Sequence, residues 1–432
     1  MRNKYRFICM LLIASLSFAF SGQLSAQVRL VERHVVPFKK TEIKKGVVFD
    51  YSREKGETQT DATKYDYTQN LLNACFKYEN KTQILLDYTQ KELTFLFNVG
   101  PFGTFGDWND STKAASREAD EKLYGLRTYA YAEYLNRYYY DTKSYALFDI
   151  SAFGRFDVYH KKQDGTSVDS LGTSSVIDKN GTDSRFRWGL QAKFGYGLGR
   201  LNPVNHLMTA QYLLEKYYPG RLFADREIAE LAQFIARIKN NREAKAGHDV
   251  EKEMKQVADF VNKKMFLKSP DAMIADWPYG EFEPRYEGKR IELVPFFRYY
   301  NYDPDFIYGA YMQFEWEKYQ NVKWNRNLGV NIKYNRYKEK NWMTGEVKLG
   351  WSYYYQLKSR FDFGVKYVPG ININHLNDVG TLSHNVIPYL AYSSQLNQKA
   401  RIKVNFSWRI ADGEQFVLPG PAFSLSIYRG KY

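Results

Sequence analysis

The stretch Ser184–Arg200, SRFRWGLQAKFGYGLGR, decides how this chain is read. Phe186, Trp188, Leu190, Ala192, Phe194 and Tyr196 alternate with Arg185, Arg187, Gly189, Gln191, Lys193 and Gly195. A period of two sends one set to each face of a β-strand. One face is aromatic and aliphatic; the other is basic, amide-bearing or bare. A soluble sandwich would bury the first face under a second sheet. A strand closing a barrel in a bilayer would turn it to lipid and the other to a wet lumen. Directly afterwards, from Val204 to about Leu267, the period becomes helical. The rest of the chain decides which solvent the greasy face meets.

Residues 1–26 read as a secretory leader. Arg2, Lys4 and Arg6 form a basic start, Phe7–Phe20 an apolar stretch, and Leu24-Ser25-Ala26 a small-residue cleavage site. Cys9 lies inside the apolar stretch, which leaves Cys75 as the one cysteine of an exported chain and excludes an internal disulfide. Cys75 reads as a small buried hydrophobe. After the leader, 59 basic residues face 48 acidic ones, a net +11. For an exported chain this excludes nucleic acid as the partner and favours anionic headgroups, glycans or an anion-conducting lumen. Tyr, Phe and Trp make up 17% of the residues, yet no apolar run past the leader approaches the roughly 20 residues of a membrane helix. Export, aromatic load and repeated alternation together predict an antiparallel transmembrane barrel with Tyr and Trp at its interfaces.

Residues 27–90 are polar with little period and read as an N-terminal periplasmic extension, with Asn70–Tyr88 open between helix and strand. Strands 1–4 fall in 91–200. They begin at Leu93, Phe95, Phe97 and Val99, and Pro101–Lys122 and Lys161–Asp183 read as polar external loops. Eight further strands fall in 288–432: Arg290–Tyr300, Asp305–Lys318, Lys323–Tyr337, Trp342–Leu357, Arg360–Ile373, His384–Ser394, Ala400–Ala411 and Pro421–Tyr432. The expected count is twelve, or fourteen if Asn70–Tyr88 adds a hairpin. Between the two groups, 201–287 reads as a helical insertion and connector. Ile228, Leu231, Ala232, Ile235 and Ile238 form one apolar stripe after Asp225 as N-cap. Val250, Met254, Val257, Val261 and Met265 form another after Asp249, and Leu207, Ala210, Leu214 and Tyr217 a weaker one. Loop parity puts the insertion on the periplasmic side with both termini. A helix is about 10–12 Å across, so three of them make an appendage and not a plug.

Chemical motifs are few. Gly195-Tyr196-Gly197-Leu198-Gly199-Arg200 lacks the GxGxxG spacing and reads as small residues at a barrel rim, not a phosphate cradle. His375, Asp378 and His384 share one loop, and Asp107, Asn109 and Asp110 another, but neither has metal-ligand spacing. Ser383 and His384 are adjacent and point to opposite faces, unlike the base–nucleophile pair of outer-membrane phospholipases. No catalytic residue, metal or cofactor is therefore expected. The run from Gly197 to Val204, leading into helices, resembles a family of bacterial outer-membrane barrels with a periplasmic helical insertion, over about the middle third of the chain. The resemblance implies residence in the outer membrane of a Gram-negative bacterium, contact with its lipids and barrel-assembly machinery, and no active-site residues.

The phases place Arg185, Arg187, Lys193, Arg401, Lys403, Arg409, Glu315 and Glu317 on the lumen face. All assigned inward charges together give a net of +4. A basic lining biases a pore toward anions, so a small diffusion channel with mild anion preference is expected. The alternative is a structural protein whose barrel anchors the helices for a periplasmic envelope partner.

Overall fold

A computed structural model describes residues 37–431 except 60–62, 113–114, 243–248, 269–270, 280–283, 375–381, 398 and 413–415. The leader and the His375/Asp378 pair lie outside these residues. Six long strands come first: β1 Phe38–Gln59, β2 Thr63–Leu86, β3 Thr89–Thr112, β4 Ser116–Tyr139, β5 Ser144–Val168 and β6 Ser174–Pro203. Three helices follow, α1 Asn205–Tyr217, α2 Asp225–Asn240 and α3 Val250–Met265, and a short 3-10 turn, Asp271–Ala275. The second group of strands is shorter: β7 Tyr286–Tyr300, β8 Phe306–Tyr319, β9 Trp324–Tyr337, β10 Lys340–Tyr355, β11 Ser359–Tyr367, β12 Gly370–Asn374, β13 Asn385–Gln395, β14 Ala400–Ala411 and β15 Gly420–Lys431.

Neighbouring strands pair antiparallel in chain order, and β1 pairs β15 from Ile43 opposite Lys431 to Ser52 opposite Ala422, which closes the sheet. Both β11 and β12 pair with β10, so they are two halves of one stave interrupted at Val368-Pro369. Proline has no N–H to give the ladder, but its carbonyl still accepts from Gly345 N at 2.8 Å. The barrel thus has fourteen staves. The pair beyond twelve is the hairpin β1–β2, so residues expected as a loose extension (27–90) contain barrel wall from Phe38 to Leu86.

Large apolar side chains are exposed around the circuit: Phe49 on β1, Phe76 on β2, Phe95 on β3, Leu190 and Phe194 on β6, Leu293 on β7, Ile332 on β9, Phe363 on β11, Trp408 on β14 and Ile427 on β15. Closure leaves no unpaired edge within the bilayer, and the outward belt faces lipid. The chain is an outer-membrane barrel. Five turns of two to four residues (87–88, 140–143, 320–323, 356–358, 396–399) share one end with the barrel's termini and the insertion. We take this end, which carries both barrel termini, as the periplasmic one. At the opposite end, the two segments expected as external loops are strand. Pro101–Lys122 belongs to β3 and β4, and most of Lys161–Asp183 to β5 and β6. The first six strands therefore rise well beyond the belt as a projecting sheet.

The helices pack their stripes on one another. Ala210, Leu213, Leu214, Leu231, Ile235, Val257 and Val261 form the core, closed by Met273 and Trp277 from the connector. Asp249 caps α3 as expected, accepting from Glu251 N and Lys252 N at 3.1 Å. In α2, by contrast, Asp225 is the first helical residue, and the cap is completed by Glu227, whose Oε2 accepts from Ala224 N at 2.8 Å. The weak stripe of α1 has a physical reason. Asn205, His206, Thr209 and Gln211 are buried along with Met208, Leu213 and Leu214, because α1 is covered on both sides, by the other helices and by the barrel.

Candidate functional site

The candidate site is the lumen together with the helices across its periplasmic end. The β6 stretch places its alternating faces as its pattern dictates: Phe186, Leu190, Phe194 and Tyr196 are exposed, and Lys193 reaches across the ladder to Asp149, Nζ to Oδ2, at 2.6 Å. The inner glycines make room. A Cβ on Gly197 would overlap the ring of Tyr145, which is fully buried in the lumen against Tyr139, Leu147 and Val294. A second internal cluster, Phe296, Ile307 and Tyr337, lies on the adjoining strands. The bore is therefore partly filled by its own side chains.

Sequence-assigned lumen residues are distributed as follows. Arg187 stacks on Tyr302, 5.1 Å from the ring centre, and Arg185 is exposed toward the outer end of β6. Arg401 is buried, its Nη1 2.9 Å from Glu42 Oε1. Arg409 binds Glu54 at 3.1 Å and donates to Arg53 O at 3.0 Å. Lys403 lines a small cavity with Lys44, Lys77 and Glu79. Glu315 pairs with Arg290, and Glu317 accepts from Asn325 Nδ2 at 3.0 Å. Of these, Lys193, Glu315 and Glu317 meet in one chamber of about 400 Å³ at the periplasmic end, whereas the others stand apart. A second cavity, about 720 Å³, is bordered by Arg127, Lys366, Arg409 and Asp50.

The hub of the inner chamber is a residue the pattern did not single out. Glu292 Oε2 accepts from Arg137 Nε at 3.2 Å and from Tyr145 Oη at 3.0 Å, and Arg290 Nε lies 3.9 Å away. Arg137 on β4 and Glu292 on β7 are separated by two strands, so this pair crosses the lumen. The signal was present in β7. Arg290, Glu292, Val294 and Phe296 alternate with exposed Ile291, Leu293 and Phe297, but the inner face mixes charge with apolar bulk and so gave no clear phase. On β4, aromatics on both faces hid Arg137.

The insertion is fastened around the rim. Lys39 N of β1 donates to Asn240 Oδ1 at 2.9 Å, and Asn240 Nδ2 to Pro37 O at 2.7 Å. Gln395 of β13 donates to Pro278 O at 3.3 Å. Tyr319 at the end of β8 donates to Gln211 on α1 at 2.9 Å, and Lys358 sits 4.4 Å over the Tyr279 ring. Arg285, 2% exposed, pins the connector. Its guanidinium lies 3.8 Å from the Tyr354 ring centre and donates to the carbonyls of Val322 and Trp324 at 3.0 and 3.1 Å. With no carboxylate among these partners, burial pushes its pKa below the usual guanidinium range. In the bundle, burial acts to lower Lys216, but its hydrogen bond to Asp276 prevails and raises it. A unit touching β1, β8, β10 and β13 touches opposite sides of a fourteen-stave ring, so it spans the opening. The helices stay outside the bore, as their width requires, but they form a lid and not a free appendage.

At the outer end, His384 Nδ1 lies 2.6 Å from Tyr367 Oη with the rings stacked, and Ser383 pairs with Gly370 in the ladder. Cys75 is buried, with Asn73 Nδ2 3.9 Å from its sulfur.

No protein-family model matches the chain, and no characterised protein is detectably similar in sequence. Among solved structures it is similar to the toluene transporter TodX of Pseudomonas putida (7% identity, 90% of this chain and 89% of that one, TM-score 0.34). It is also similar to the β domain of the Bordetella autotransporter BrkA (9%, 90% and 99%, 0.33) and to the Escherichia coli outer-membrane protease OmpT (8%, 91% and 96%, 0.27). These three differ in activity, and the assignment as a barrel rests on the closed ladder described above.

Proposed function

We propose that this protein is a gated conduit for small solutes across the outer membrane, held shut at the periplasmic end by its helical lid. The observation that carries the reading is the ring of contacts fastening the insertion to β1, β8, β10 and β13 around the mouth. An anion preference finds no support along the whole path: among charged lining residues bases outnumber acids in the outer cavity, and acids outnumber bases in the inner chamber. A lumen of alternating sign selects no single charge. Nothing in the reading calls for catalysis.

The test is electrical. In planar bilayers the intact protein should stay closed or conduct rarely. A variant with residues 204–285 replaced by a four-residue turn, and still heat-modifiable on gels, should show steps about tenfold larger or more frequent. Equal conductance in the two proteins would sink the reading.

One observation favours a second role. Leu222 and Phe266, 97% and 87% exposed, each follow directly on a partner of the Arg221 Nη1–Met265 O bond, 3.1 Å, on the lid. An apolar pair at this position suits an envelope partner that lifts the lid. A Leu222→Ser/Phe266→Ser protein that opens as often in envelopes as the parent would argue against it.

A further inference from the structure

We infer that the inner chamber binds a small organic cation carrying an ammonium or guanidinium group. The chamber holds about 400 Å³, within the range of small-molecule sites. Leu201 and Tyr286, on the two strands that flank the insertion, form part of its wall. Six carboxylates line it: Glu92, Glu133, Asp149, Glu292, Glu315 and Glu317.

The state of its hydrogen-bonding groups selects the guest. Of the four bases on its wall, the three that are not exposed are already turned to a carboxylate: Arg137 to Glu292 at 3.2 Å, Lys193 to Asp149 at 2.6 Å, and Arg290 to Glu315; the fourth, Lys91, is exposed. An anion among the first three would have to displace one of these pairs. Acceptors, by contrast, are left over. Asp149, one of the lining residues, is 1% exposed, and while its Oδ2 takes the Lys193 ammonium, its buried Oδ1 has no hydrogen-bond partner among the described residues. Among the described residues Glu317 receives a bond only from the neutral Asn325 amide, and Glu133, on the same wall, takes the Tyr131 hydroxyl and forms no ion pair. A buried acceptor left without a donor is costly, and a charge-assisted bond to a compact cation satisfies it. A bare metal ion fits less well, since no group of three His, Cys, Asp or Glu among the described residues is placed to hold one.

This names the solute class for the conduit proposed above, but binding is measurable without transport. The purified full chain in detergent is titrated calorimetrically with 1,4-diaminobutane and with guanidinium, against acetate and calcium at matched ionic strength. The expected result is saturable binding of the two organic cations only, weakened about tenfold in Glu133→Gln/Glu317→Gln. Asp149→Asn is a second variant, read only where gel migration shows a folded barrel. No organic-cation binding, binding of acetate or calcium alone, or affinity unchanged in the double variant would overturn the inference. Binding without conductance would leave this site standing and remove the conduit; conductance without binding would do the reverse.

Discussion

The periplasmic ring of this barrel and the sheet that projects from its outer end are built from the same strands and obey different rules. β1–β6 run 22 to 30 residues each, whereas the later strands run no more than 16. A barrel strand needs only about 9–11 residues to cross a bilayer. The surplus stands in water on both faces. There, charges pair at the surface, as Lys162 and Asp164 do at 2.8 Å with both side chains nearly half exposed. In the ring, Arg137, Tyr145 and Arg290 converge on one buried carboxylate, and the lid covers the mouth. The lesson is that one strand carries structural consequence at one end and little at the other.

Matched edits at the two heights should separate the regions. Glu292→Ala strands Arg137 in the lumen and should cost about 3–5 kcal/mol. Asp164→Asn should cost no more than about 1 kcal/mol. Urea unfolding in detergent, followed by tryptophan fluorescence, measures both, and equal losses would break the comparison. Trp277→Ala should cost the lid about 3–5 kcal/mol, since the indole is fully buried and its Nε1 donates to Glu253 at 2.6 Å. Limited proteolysis should then cut within 204–285 while the barrel keeps its folded gel mobility. Cleavage unchanged from the parent would mean that the lid does not depend on that core.

A smaller effect is expected within β6 alone. Gly197→Ala meets the Tyr145 ring and should cost about 1–3 kcal/mol by overpacking. Sixteen residues earlier in the strand, Gly181 has nothing within 4 Å of its Cβ position, and Gly181→Ala should stay within about 0.5 kcal/mol. Thermal unfolding of the two variants side by side gives the difference directly.

The same contrast explains what was legible in the sequence. Alternation reports a difference between two solvents, so it was clear where one face meets lipid and the other the lumen, as from Phe186 to Tyr196. In Pro101–Lys122 and Lys161–Asp183 both faces see water, and strand looked like loop. β1 and much of β2 were missed because charges such as Lys44, Glu42 and Glu79 pair inside the barrel and made the segment look like a solvated extension. The helices were legible from their stripes, except that α1, covered on two sides, showed a weak one. The site was least legible. Lys193, Glu315 and Glu317 were assigned to the lumen from phase alone, but a strand pattern does not say that Arg137 meets Glu292 across two intervening strands.

The central claim is that the helices lie across the barrel mouth, and cysteine pairs at two distant points of the rim test it most directly. Lys39→Cys with Asn240→Cys joins the end of α2 to β1, and Tyr279→Cys with Lys358→Cys joins the connector to the β10–β11 turn. Assembled in the outer membrane and mildly oxidised, a protein carrying both pairs should form both intramolecular disulfides in most molecules, read by mass spectrometry of the peptides. Thiols that label freely at all four positions while neither bridge forms would contradict the lid.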